Sequence, residues 1–117
     1  VGMDIVVIRA REALTLKCVE SPNADMLHGD SATFDFSTLS FQACLIDGAH
    51  SDFYVRSDTE KMLQHIDRSA PPGALIVWHD YGTVPADVRY LNELASTFPI
   101  RRIRGTTLGL LHLPNMP

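Results

Sequence analysis

Carboxylates and imidazoles recur in this chain directly after short apolar runs. The clearest cases are Leu45-Ile46-Asp47-Gly48-Ala49-His50 and Val77-Trp78-His79-Asp80-Tyr81. Leu27-His28-Gly29-Asp30-Ser31 and the opening Val1-Gly2-Met3-Asp4 have the same character. An ionised carboxylate accepts both donors of a vicinal diol or binds a hard cation, and a neighbouring histidine can take up a proton near neutral pH. A single Asp after an apolar run is ordinarily a turn or helix cap. Four in succession read instead as the polar rim of a binding site. His28, His65 and His112 lack such company and read as structural.

The elements that must position these residues follow from periodicity. Apolar runs at Ala24 to His28, Gln42 to Ile46, Ala74 to Trp78, Ile100 to Ile103 and Leu108 to Leu113 are short and continuous. Such runs predict strands covered on both faces. Three amphipathic stretches alternate with them. Val7, Ala10, Leu14 and Cys18 share one helical face, ended by Ser21-Pro22-Asn23. Val55, Met62, Leu63 and Ile66 share a second, with Ser57 and Glu60 in capping-box spacing and Pro71-Pro72-Gly73 as terminator. Val84, Val88, Leu91 and Leu94 make the third, with Pro85 suited to a first helical turn. The alternation predicts an α/β fold with a mostly parallel sheet and helices on both faces. Only Gly105-Thr106-Thr107 separates Ile103 from Leu108, which is room for a hairpin but not for a crossover helix. The sheet should therefore close with an antiparallel strand pair. Val1 to Asp4 read as the end of a strand already under way, so the N-terminal part of the domain is expected to lie upstream.

Composition narrows the function classes. The 117 residues are 45% hydrophobic and 21% charged, as in a globular domain. A net charge of -4 argues against nucleic-acid binding through a bulk basic field, and Arg101, Arg102 and Arg104 form only a local patch. No apolar run approaches the roughly 20 residues of a membrane span, and no signal-peptide pattern opens the chain. Cys18 and Cys44 stand apart in apolar stretches and read as buried thiols of a reducing, cytoplasmic compartment.

The segments Leu27-His28-Gly29-Asp30-Ser31, Leu45-Ile46-Asp47-Gly48-Ala49-His50-Ser51 and Pro72-Gly73-Ala74-Leu75-Ile76-Val77-Trp78-His79-Asp80-Tyr81 together resemble the class I S-adenosylmethionine-dependent methyltransferases. The likeness is to the branch with an IDGxH and PGG–HDY pattern (methyltransferase family 24-like), and it extends from Asp4 to Leu113. Phe53-Tyr54 shifts the aromatic that follows the histidine, and Gly73-Ala74 stands for the Gly-Gly of the turn. The resemblance implies a Rossmann-like sheet of seven strands, the last antiparallel, of which this chain holds the part from the end of the second strand onward. The family's glycine-rich loop after its first strand has no counterpart, since no GxGxG occurs. With the first strand missing from between the second and the fourth, a gap is expected in mid-sheet, which a second copy of the chain could fill.

By this resemblance Asp4 would bind the ribose hydroxyls of S-adenosyl-L-methionine. Asp30, with Gly29 and Ser31, would hold the adenine, and Asp47 with Gly48 would lie near the reactive methyl. His50 and His79 are the candidate bases for a small-molecule or sugar hydroxyl. Asp47, His79 and Asp80 form a candidate site for Mg²⁺ or another divalent cation, with His79 better suited to Mn²⁺ than to Mg²⁺.

Two other readings compete. A phosphoryl-accepting receiver module suits the length and Asp47, but it needs an acidic pair after its first strand and a lysine after a late strand. Asp4 stands alone, and Lys17 and Lys61 both fall in helical stretches. An inactive methyltransferase fragment kept for partner binding is the other. The His79-Asp80 pair does not indicate a helical metal phosphohydrolase, because it ends an apolar strand after a Pro-Gly turn.

Overall fold

The computed structural model describes residues 5–8, 24–27, 33–47, 51–79, 81–82 and 85–116. Among these, six strands form one sheet: β1 (Ile5–Ile8), β2 (Ala24–Leu27), β3 (Ala43–Ile46), β4 (Ala74–Trp78), β5 (Arg101–Arg102) and β6 (Gly109–Leu113). Their order is β2-β1-β3-β4-β6-β5. Helix α1 (Asp52–His65) connects β3 to β4, and α2 (Pro85–Leu94) lies between β4 and β5. The fold is α/β, and the expected closing hairpin is present: β5 and β6 pair antiparallel, with Ile103 N–H donating to the Leu108 carbonyl at 2.9 Å.

The sheet is mixed and not mostly parallel. Only β3 and β4 adjoin in parallel, whereas the β1–β2, β1–β3, β4–β6 and β5–β6 pairs are antiparallel. The cause is interleaving. Strands β2, β3, β4 and β5 all run the same way, but β1 and β6 insert between them in the opposite direction.

β1 is also a correction. Val7 falls in a strand and not at the head of a helix, because the run Ile5-Val6-Val7-Ile8 is wholly β-branched and such side chains favour extended backbone. The rest of that expected helix, from residue 9 to Cys18, lies outside the described residues, as do Val1 to Asp4. The gap expected in mid-sheet does not occur, since β1 pairs directly with β3 from Ile5↔Ile46 to Ile8↔Ala43.

Both described helices cover the same face, where helices on both faces were expected. Cys44, Ile76 and Leu111 are direct cross-strand partners, as are Ile46 and Trp78, and all are buried with Val55 and Met62 of α1 and Tyr90 and Leu91 of α2. Phe36 and Phe41 extend this core beneath α1. α1 begins earlier than its capping-box pattern suggested: Ser51, and not Ser57, is the N-cap, its hydroxyl accepting from Tyr54 N–H at 3.2 Å. Ser57 and Glu60 then fall inside the helix. α2 starts with Pro85 at its first position, as expected. Among the described residues no helix is long and apolar enough to cross a membrane.

Candidate functional site

One row of residues crosses the whole sheet. Leu27 pairs with Ile5, Ile5 with Ile46, Ile46 with Trp78, Trp78 with Gly109, and Gly109 with Arg102. This row is the carboxyl-terminal rim of β2, β3 and β4 and, because β1 is reversed, the amino-terminal end of β1. Asp47 follows Ile46 and His79 follows Trp78, so the two stand at the ends of adjacent parallel strands. In open α/β sheets this is where ligands bind.

The Asp47 Oδ1 and His79 Nδ1 atoms are 3.4 Å apart, with both side chains 43% exposed. The separation is longer than an aligned N–H···O bond, and the contact becomes an ion pair only when the imidazole carries a proton. The backbone at this point is anchored, since His79 N–H continues the parallel ladder by donating to the Ile46 carbonyl at 3.0 Å.

Tyr81 holds the next part of the loop in three ways. Its N–H donates to the Thr107 carbonyl at 2.7 Å, and its hydroxyl lies 2.6 Å from Asn92 Oδ1 on α2. Its ring occupies the space a side chain at position 109 would need: a Cβ on Gly109 would come within 2.7 Å of Tyr81 Cδ2. Tyr81 was part of the quoted motif but not of the expected site. The glycine heading β6 was the only sequence signal of a close neighbour there, and nothing in the sequence paired it with Tyr81.

Of the expected site residues, Asp47 and His79 are brought together. Asp4, Gly29, Asp30, Ser31, Gly48, His50 and Asp80 lie outside the described residues. The expected metal set of Asp47, His79 and Asp80 is therefore seen in two members, and among the described residues no group of three or more His, Cys, Asp or Glu side chains is arranged to hold an ion.

Comparison with protein-family profiles, with curated proteins and with solved structures finds no match to this chain.

Proposed function

We propose that the chain is a domain of an S-adenosylmethionine-dependent methyltransferase that acts on a hydroxyl of a small molecule. The observation that carries this reading is the Asp47–His79 contact at adjacent parallel strand ends. In the sequence these residues stand in the IDGxH and HDY segments that resemble that family. The strand order adds support. The last strand, β6, is antiparallel to both of its neighbours, as the resemblance implies. The reversed direction of β1 departs from the family's pattern.

S-adenosylmethionine would supply an electrophilic methyl group. The chain's own residues have two tasks in such a reaction, which are to align the acceptor oxygen and to remove its proton. In this reading His79 is the base that takes up the hydroxyl proton. Asp47 stabilises the imidazolium that results. Half-exposure of both side chains lets an acceptor reach them.

The cofactor's aminocarboxylate has no glycine loop to bind in this sequence. Each charge-assisted hydrogen bond lost there is worth roughly 1.5–3 kcal/mol, so two would weaken binding by about a hundredfold or more. Titration of the isolated chain with S-adenosylmethionine, followed by two-dimensional NMR, tests the reading. Weak, saturable shifts centred on Ile46, Asp47 and His79, reduced in Asp47→Asn, are the expected result. Saturable shifts confined to residues away from the rim, or low-micromolar binding by the chain alone, would overturn it. Covalent phosphorylation of Asp47 by acetyl phosphate would point to a receiver module instead.

A further inference from the structure

Along β6, from Leu110 to Pro114, lies a hollow of about 350 Å³, a volume near the lower end for small-molecule sites. Its walls include Phe98, Leu110, Pro114, His112 and two arginines, Arg68 and Arg101. We propose that this hollow binds a small amphiphilic carboxylate, with the apolar part against Phe98 and Leu110 and the carboxylate between the two guanidinium groups. The proposal does not rest on the rim chemistry, because neither Asp47 nor His79 lines the hollow.

Charge carries the argument. The chain as a whole is acidic, yet no carboxylate among the described residues lies within ion-pair distance of Arg68 or Arg101. Arg56 shows the contrast, its guanidinium being engaged by both Asp52 and Glu93. Arg68 is also held in place before any ligand arrives. Its Nε–H donates to the Pro114 carbonyl at 2.8 Å, and its own carbonyl accepts from Met116 N–H at 2.7 Å. No terminal nitrogen of Arg68 is needed for that anchoring, so both remain for a bidentate anion contact. Preorganisation of this kind lowers the ordering cost of binding. His112 is fixed as a wall, with Nε2 lying 2.7 Å from the Pro72 carbonyl. Apolar walls around two cations select a ligand that has both an apolar body and an anionic head.

Octanoate, octanol and inorganic phosphate separate the contributions. Each is titrated into the chain while the resonances of Phe98, Leu110 and Leu113 are followed. Octanoate should give saturable shifts, with octanol and phosphate each at least about tenfold weaker, since each lacks one half of the recognition. Arg101→Gln should weaken octanoate by about tenfold while leaving the melting temperature unchanged, because Arg101 is exposed on the edge strand. Arg68 is less suitable for this test, as its anchoring bond shapes the hollow. Equal binding of octanol or of phosphate would overturn the proposal. So would an Arg101→Gln chain that binds octanoate as the parent does, or the absence of saturable shifts with octanoate.

Discussion

The indole N–H of Trp78 donates to the Thr59 hydroxyl across 2.9 Å, with the two residues 1% and 0% exposed. The bond joins the last residue of β4 to the middle of α1 and lets a large aromatic ring lie in the core with its polar edge satisfied. Thr59→Val preserves the shape but removes the acceptor. The orphaned donor should cost about 1–3 kcal/mol, and Thr59→Ser should recover most of it. Urea midpoints at constant slope measure the difference. A valine variant as stable as the parent would mean that the indole finds another acceptor.

Gly73 should tolerate no side chain. Its φ of +102° is a conformation that L-residues rarely adopt. A Cβ there would collide with the Leu113 carbonyl oxygen and come within 2.7 Å of the Asn115 backbone nitrogen. Strained backbone alone costs on the order of 1–3 kcal/mol, and these neighbours are main chain and cannot swing aside. Gly73→Ala should therefore lower thermal stability well beyond that of Gly105→Ala, where no atom lies within 4 Å of the added carbon. Equal melting temperatures for the two would contradict the packing of the β4 entry against the chain after β6.

Arg56 bridges the helices, lying 3.0 Å from Glu93 on α2 and 4.7 Å above the Tyr90 ring. Its hydrogen bonds hold the Glu93 carboxyl below the usual carboxylate range. A group whose folded pKa is depressed adds stability above its unfolded value and loses that contribution as pH falls through the folded value. The stability difference between the parent and Glu93→Gln should hold at neutral pH and vanish in acid below the ordinary glutamate range. Both side chains are exposed, so the difference should be small and should shrink in salt. Melting curves from pH 7 to pH 3 at two ionic strengths read it. A difference that persists in acid would assign the effect to something other than charge.

Cys44 should be chemically silent in the folded chain. It is buried in β3, and burial pushes its thiol well above the ordinary range, so the reactive thiolate is not populated. Iodoacetamide at mildly alkaline pH, followed by peptide mapping, should leave Cys44 unmodified until urea unfolds the chain. Rapid labelling in native buffer would show that β3 opens locally.

Legibility in the sequence followed burial. Ala74-Leu75-Ile76-Val77-Trp78 was readable to the residue because its apolar side chains run without a break, and Pro72-Gly73 marks its start. Asp47 and His79 were readable as rim residues because each ends such a run, and only the family resemblance implied that their strands adjoin. The strand Ile5-Val6-Val7-Ile8 is concealed in the sequence because Val7 also satisfies a helical spacing with Ala10, Leu14 and Cys18. Ser57 and Glu60 match the capping-box spacing, whereas Ser51 caps the helix through its hydroxyl alone and carries no such pattern. The direction of β1, the Tyr81 ring over Gly109 and the Arg56–Glu93 bridge depend on which elements meet. No local pattern encodes those meetings.

The hairpin between β5 and β6 divides into two halves with opposite tolerance for change. Gly105 sits at an open tip, so an added residue there would lengthen a turn and disturb little else. Thr107 is different, because its carbonyl holds Tyr81 and the loop beside His79. An added residue between Thr107 and Gly109 would also slip β6 by one place and turn Leu111 and Leu113 out of the core. Length variation in this segment is thus confined to one side of the turn, and the loop beside the candidate site depends on the other side keeping its length.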